Sequence, residues 1–434
     1  MTPFTLPDDF IFGTATASVQ IEGGDTNNSW YRWSRQPGHI ADGSDCTTAD
    51  DHWNRVAEDT ALMQRLGVNG YRLSIEWSRI EPEPGRFDVD AMAHYRDEIE
   101  KLVAAGITPM VTLHHFSNPL WLEDAGAWLN PAVVRQFARY AAHVYTFLGD
   151  LVRDWITINE PSVYLTFGHI WGDWPPGDQS ILNYFKGARH LIAAHIAAYE
   201  NIHELAKGQR RSAPKVSAAH HLRVFEPARG KLAEKWICRA FERLFHDIFF
   251  EGMATGRLLF PIGRGYPYGK GEYQDMVAIN YYTRDMIVFN PAKPLQLFGD
   301  TRVKEGALVN DLGWEIYPQG LFDLCYRYFR RYQKPVMITE NGTPDKADAF
   351  RTRFIYDHLR EVRNLLDAGV DVRGYFHWSL MDNFEWAEGL SARFGLIEVD
   401  YATQARRIRK SGAFYAEICR NHGVTEAMVA DYLG

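Results

Sequence analysis

Eight short apolar runs separated by helical patterns constrain this chain more than any other feature. They cover residues 10–18, 68–77, 108–115, 154–160, 215–221, 276–283, 335–340 and 372–378. Amphipathic stretches such as 90–104, 131–148, 184–206 and 347–368 lie between them and suit helices that cover a sheet. Strands that alternate with helices predict an α/β fold, here a (β/α)8 TIM barrel with long βα loops, whose working face lies where the strands end. A length of 434 residues would by itself suggest two or three domains. No linker, low-complexity run or repeat marks a boundary, so a single barrel domain spanning 1–434 is the simpler expectation.

Two of the runs end alike. In Pro335-Val336-Met337-Ile338-Thr339-Glu340-Asn341-Gly342 the chain is apolar or β-branched up to Glu340, and Asn-Gly then turns it. Asp154-Trp155-Ile156-Thr157-Ile158-Asn159-Glu160-Pro161 has the same layout, with Pro161 to stop the strand. One such acid could simply cap a helix. Burying a carboxylate without partners is costly, however, so glutamates at the mouths of two parallel strands are better explained by chemistry than by packing. Cleavage of a glycosidic bond needs such a pair, one ionised nucleophile and one protonated acid, held roughly 5 to 5.5 Å apart when configuration is retained.

The other strand ends are polar too. Gln20 follows the first strand, Arg72 lies within the second, His114-His115 close the third, and Asn159 precedes Glu160. The sixth carries Asn280-Tyr281-Tyr282, and the eighth runs from Trp378 through Asp382 and Asn383 to Glu385-Trp386. Such a ring suits a sugar, whose hydroxyls need directed partners and whose apolar face stacks on an aromatic ring. Neither His114-His115 nor His220-His221 can chelate one ion, because neighbours on a strand point to opposite faces; no metal site and no cofactor are expected. Trp30, Trp33, Trp53 and Trp236 are expected to pack rather than to bind sugar.

The net charge of -8, from 47 basic and 55 acidic residues, argues against a nucleic-acid partner. Cys46, Cys238, Cys325 and Cys419 are too scattered for a metal or redox pair and are expected to be reduced. With no basic, apolar leader after Met1 and no run long enough to span a membrane, a cytoplasmic protein without membrane association is expected.

On these residues the chain resembles the family 1 glycoside hydrolases, the β-glucosidase and β-galactosidase family. The Thr-x-Asn-Glu-Pro and Ile-Thr-Glu-Asn-Gly motifs stand intact at 157–161 and 338–342, and the opening segment 12–23, the segments 71–77 and 313–318, and the tail of the eighth strand at 382–386 are family-like in order. The resemblance implies a single catalytic barrel that acts as a retaining β-glycosidase on small β-linked glycosides or short oligosaccharides. Glu340 would be the nucleophile and Glu160 the acid/base. Gln20, His115, Asn159, Glu385 and Trp386 would hold the hydroxyls of the innermost sugar, Trp378 would be the floor beneath it, and Trp314 would help line the pocket. Tyr282 would hydrogen-bond the nucleophile, and the Arg72 guanidinium would favour its ionised form. The retained Glu385 implies sugars without a 6-phosphate, because phospho-specific members replace that glutamate.

Three positions depart from the family pattern. Phe116 stands where an indole is usual, Ser162 follows Pro161 where many members place a Trp beside the leaving group, and the loop after Gly342 is short. Transglycosylation through the same two glutamates is the alternative chemistry. A catalytically silent sugar-binding protein is disfavoured because both glutamates are present.

Overall fold

The computed structural model describes residues 1–434, the side chain of Leu295 excepted. Eight strands build the barrel: β1 (Ile11–Ala15), β2 (Gly70–Ser74), β3 (Thr108–His114), β4 (Asp154–Asn159), β5 (Lys215–Pro227), β6 (Val277–Phe289), β7 (Val336–Asn341) and β8 (Val372–Trp378). Each pairs in parallel with the next, and β8 closes the ring by pairing with β1, Tyr375 opposite Phe12. Around them lie α1 (His52–Leu66), α2 (Val89–Ala104), α3 (Val133–Leu148), α4 (Ile181–Gly208), α5 (Leu232–Phe241), α6 (Gln319–Tyr332), α7 (Arg351–Asp367) and α8 (Lys410–Asn421). Beyond α5 the chain passes through a π-helical turn, Glu242–Asp247, into a further helix, Ile248–Thr255.

Local chemistry explains these elements. In α3, Val133, Phe137, Tyr140, Val144 and Leu148 recur every three or four residues, and all are buried against the barrel. Asp88 caps α2 by accepting from the amides of Asp90 and Ala91, and α1 stops where Gly67 adopts a left-handed conformation that a side chain would disfavour. Inside the barrel the Phe376 ring occupies space that glycines vacate, since a Cβ on Gly13 would lie 2.4 Å from it. One hydrophobic cluster runs from Phe4 to Met428. A small satellite of Ile237, Cys238 and Ile287 sits apart, with Phe225 and Phe241 half-buried against it.

The predicted runs find their strands, but β5 and β6 extend past the expected ends at 221 and 283. After a register shift between Leu222 and Val224 their outer halves still pair, as far as Pro227 opposite Ile287. A short antiparallel strand, Gly299–Arg302, covers the far edge of β6. Mutual pairing keeps the backbone satisfied beyond the barrel rim, and the apolar pattern of the core gave no sign of it. All four cysteines are buried and unpaired. Among the described residues no helix is long and apolar enough to cross a membrane.

The Asn-Gly turn after β7 has a steric cause. A Cβ on Gly342 would lie 1.7 Å from the main-chain oxygen of Trp378, which cannot yield as a side chain could. Gly342→Ala is therefore expected to cost at least about 3 kcal/mol in denaturant unfolding. Gly208→Ala, where nothing lies within 4 Å, is expected to stay within about 1 kcal/mol of wild type, on the stabilising side.

Candidate active site

The two glutamates meet at the C-terminal mouth of the barrel. Glu340 lies in β7 itself, whereas Glu160 follows the last residue of β4 and caps a short helix, Pro161–Thr166. Its φ of +42° places Glu160 in the left-handed region, a conformation costly for a residue with a Cβ and concentrated at functional sites. Both carboxyls are nearly buried, at 5% and 3% exposure for Glu160 and Glu340.

A hydrogen-bonded chain of side chains joins them. Arg72 Nη1 donates to Glu340 Oε1 at 2.5 Å, and Tyr282 Oη donates to Glu340 Oε2 at 2.6 Å. Arg72 Nη2 also donates to Asn159 Oδ1 at 2.6 Å, which in turn accepts from Asn280 Nδ2 at 3.1 Å. Asn280 Nδ2 donates to Glu160 Oε1 at 2.7 Å, where His221 Nδ1 also lies at 3.0 Å. Arg72 is held inside the barrel by Thr112 Oγ1 and the carbonyl of Thr339.

A cavity of about 460 Å³ opens above this network. Glu160, Glu340, His115, Tyr282, Trp314, Trp378, Glu385 and Trp386 all line it. Gln20, Asn159 and Arg72 stand behind that wall. Gln20 Nε2 donates to Asn383 Oδ1, the Phe384 carbonyl and Glu385 Oε2 at 2.9, 2.8 and 3.2 Å. The ring of His115 lies nearly parallel to those of Trp378 and Trp386 and is held by Asn159 Nδ2 at 3.0 Å from its Nε2. Nε2 therefore accepts, and Nδ1 carries the proton.

Two buried polar atoms of this set, Gln20 Oε1 and His115 Nδ1, have no protein partner. An acceptor and a donor left unpaired beside a cavity are what a polyhydroxylated ligand satisfies.

Electrostatics follow from burial. Burial is the largest influence on Glu340 and lifts its carboxyl to about 7; the Glu160 charge adds to this, while Arg72 and the Tyr282 hydrogen bond oppose it. The Arg72 guanidinium acts in the expected direction, favouring the ionised form, but desolvation outweighs it. Burial and the Glu340 charge likewise push the half-buried Glu385 up to about 8. Burial and Arg72 hold His115 well below the ordinary histidine range, so it stays neutral, and the Tyr282 hydroxyl is pushed well above the ordinary tyrosine range and keeps its proton as a donor.

Several expectations about individual side chains need correction. Ser162 is buried in the helix after Glu160 and does not line the cavity; Val163 does, with Phe167, Trp171 and Trp174 supplying aromatic wall nearby. Trp33, expected to pack, also lines the cavity, its ring against His39. Trp30 does pack, against Trp174 and Trp386. Residues 343–350 stay out of the cavity, and Asp345 instead accepts the amides of Ala349, Phe350 and Arg351 at the start of α7.

Sequence reasoning gave no role to His221 or to Asn280 as partners of Glu160. The only signal was their position at the ends of the fifth and sixth strands. The paired histidines do face apart: His114 binds Asn118, and His220 stacks on Phe250. Among the described residues no group of three or more His, Cys, Asp or Glu is placed to hold a metal.

A closed barrel with two buried glutamates linked through an arginine, set among indoles and unpaired polar atoms, defines a glycoside-cleaving enzyme. The family model for glycosyl hydrolase family 1 matches residues 2–259 and 270–424. Beta-glucosidase A of Thermotoga maritima is 34% identical over 97% of this chain and 99% of its own length. The beta-galactosidase of Pyrococcus woesei is 31% identical over 99% of each. The structure of the beta-glycosidase from Pyrococcus horikoshii superposes with a TM-score of 0.90 at 36% identity, covering 99% of this chain and 98% of that one. The chain belongs to glycosyl hydrolase family 1.

Removing Arg72 should expose its two effects. Arg72→Met leaves the buried Glu340 carboxyl without its cation, and stability is expected to fall by about 3–5 kcal/mol. Because the guanidinium opposes the upward shift of Glu340, its loss is also expected to move the acidic limb of kcat/KM to higher pH. Both are read from a denaturant melt and a pH–rate profile of the residual activity.

Proposed function

We propose that the chain is a retaining, exo-acting β-glycosidase in which Glu340 is the nucleophile and Glu160 the acid/base. The carrying observation is the division of donors between them. Both oxygens of Glu340 receive a hydrogen bond, from Arg72 and from Tyr282, which is the environment of a stabilised anion. At Glu160 both contacts fall on Oε1, from Asn280 and His221, so that among the described residues Oε2 has no protein partner and is the oxygen left to carry a proton.

In the first step Glu340 bonds to the anomeric carbon as the glycosidic C–O bond breaks, and the Glu160 proton passes to the departing oxygen. In the second, Glu160 takes a proton from water, whose oxygen displaces Glu340 and restores the β configuration. Ionised Glu340 is required, so kcat/KM falls as pH drops through about 7.

The innermost sugar is read as resting on Trp378, with Gln20 Oε1 and His115 Nδ1 meeting its hydroxyls, Asn159, Glu385 and Trp386 completing the polar ring, and Trp314 walling the pocket. Relatives named β-glucosidase and β-galactosidase support small β-glucosides and β-galactosides, or short oligosaccharides of them, as substrates. The continuous core from Phe4 to Met428 supports one catalytic domain over 1–434, and four buried, unpaired thiols support a reducing, cytoplasmic setting.

Glu160→Ala tests the assignment. Its kcat/KM is expected to fall least on substrates with activated phenol leaving groups and most on alkyl glycosides, and azide should restore part of the rate as a glycosyl azide of β configuration. Equal losses on both substrate types with no effect of azide would remove Glu160 from the role. A fluorosugar inhibitor is expected to label the peptide that contains Glu340.

Sugars lacking a 6-phosphate are also expected. Arg393 is turned away, donating to Asp382 and to the carbonyl of Val399. Among the described residues no lysine lines the cavity, and its lining arginine, Arg223, is matched by Asp285. Glucoside 6-phosphate is therefore expected to give a kcat/KM at least about tenfold below that of nitrophenyl β-glucoside, reflecting an unpaired dianion beside two glutamates.

A further inference from the structure

We propose that His221 is a positioning residue for the acid/base: its Nδ1–H, set on Glu160 Oε1, keeps the Glu160 proton on Oε2 and assists its release. The inference rests on the acid/base reading of Glu160 above. His221 belongs to β5 and stands opposite Asn280 of β6 in the parallel register, just before the ladder shifts. Facing residues of paired strands share one side of the sheet, so both reach the same carboxyl oxygen. His221 Nδ1 lies 3.0 Å from Oε1, and Asn280 Nδ2 lies 2.7 Å from it.

The direction of each hydrogen bond follows from the guanidinium outward. Arg72 can only donate, so the Asn159 atom that meets it is the amide oxygen, and the Asn280 atom facing that oxygen is an N–H nitrogen. The second hydrogen of the same Asn280 nitrogen then goes to Glu160 Oε1, which is the accepting oxygen of the carboxyl. A donor at His221 Nδ1 completes the pair and leaves a lone pair on Nε2. Nε2 is buried and has no protein partner, and a buried lone pair is tolerated better than a buried N–H left without an acceptor. The opposite tautomer would strand that N–H and would draw the Glu160 proton onto Oε1, away from the cavity.

The imidazole is held in this attitude by its neighbours. Its face stacks on the Tyr282 ring at 5.6 Å, and Phe245 meets it edge-on at 5.9 Å. Tyr282 in turn donates its hydroxyl to Glu340, so one aromatic ring orders both carboxyls. In the first step the Oε2 proton passes to the departing oxygen, which keeps the electron pair of the broken C–O bond, and Glu160 becomes an anion. Hydrogen bonds to a charged oxygen are about twice as strong as those to a neutral one, so the two bonds on Oε1 strengthen as the proton leaves. In the second step they hold Oε1 again while Oε2 takes the proton of the attacking water.

Rates on dinitrophenyl and methyl β-D-glucosides in the full chain test this. His221→Phe keeps a ring beside Tyr282 and removes the N–H, and its ratio of kcat/KM on the dinitrophenyl to the methyl glucoside is expected to rise about tenfold over wild type. Taking the ratio within each variant cancels a general loss of activity, and His221→Leu replaces the phenylalanine variant if that does not fold. His221→Asn, whose amide can offer an N–H to the same oxygen, should hold the ratio within about threefold of wild type. Azide is expected to accelerate His221→Phe on the dinitrophenyl glucoside far less than it accelerates Glu160→Ala, because Asn280 still holds Oε1 and the base stays in place. An unchanged ratio in His221→Phe, an equal rise in His221→Asn, or an azide effect as large as that in Glu160→Ala overturns the assignment and leaves Glu160 in its role. A Glu160→Ala chain whose losses do not depend on the leaving group overturns the acid/base reading, and the role of His221 with it.

Discussion

The interaction on which this site depends is the ion pair of Arg72 with Glu340 inside a closed barrel. At 1% exposure the guanidinium has no water to turn to, so its bonds go to Thr112, the carbonyl of Thr339, Asn159 and Glu340. These groups come from β3, β4 and β7, and with its own strand, β2, one cation thereby fixes the relative height of four strands. A charge buried so deeply is tolerable only with such complete pairing, and the pairing is available only if the barrel is closed. Through Asn159 and Asn280 the same cation sets the position of Glu160. Fold and chemistry therefore share one constraint.

That constraint also explains why the two glutamates differ. Burial alone would push Glu340 toward neutrality. Glu340 is met by a cation and a phenol, one on each oxygen, whereas Glu160 is met by an amide and an imidazole on a single oxygen. One carboxyl is wrapped as an anion and the other keeps an oxygen free. The asymmetry comes from neighbouring strands: β6 supplies both Tyr282 to Glu340 and Asn280 to Glu160, two residues apart and so on one face of the sheet.

The closed parallel barrel was legible in the sequence because each strand is a short apolar run buried on both faces, as in Val336 to Ile338, which are at most 2% exposed. Glu160 and Glu340 were legible because a carboxylate ending such a run has no packing reason to be there. Side-chain partners were less so. His221 read only as one half of a histidine pair, since its contact with Glu160 joins residues 61 apart in the chain. Trp33 read as packing, and position 162 as lying beside the leaving group, because an indole or a hydroxyl carries no sequence signal for the direction in which it points. The outer halves of β5 and β6 were missed for a different reason: they are held by each other and by Gly299–Arg302 rather than by the core, so no apolar period announces them.

The polar ring at the barrel mouth and the aromatic wall beyond it are built on different principles. Gln20, Asn159 and His115 are fixed by hydrogen bonds to neighbours that are themselves fixed; a barrel strand carries Asn159 and adjoins His115, and the short helix Ser18–Ile21 carries Gln20. Such positions tolerate little change, because a displaced donor leaves another buried group unpaired. Phe245, Trp171 and Arg223 lie instead on the π-helical turns and the extended part of β5, beyond the closed ring, and are only partly buried. Substitutions there alter shape and apolar area without breaking the Arg72 network. The polar ring at the barrel mouth is thus tied to barrel stability, while the aromatic wall beyond it is free to vary on the same scaffold.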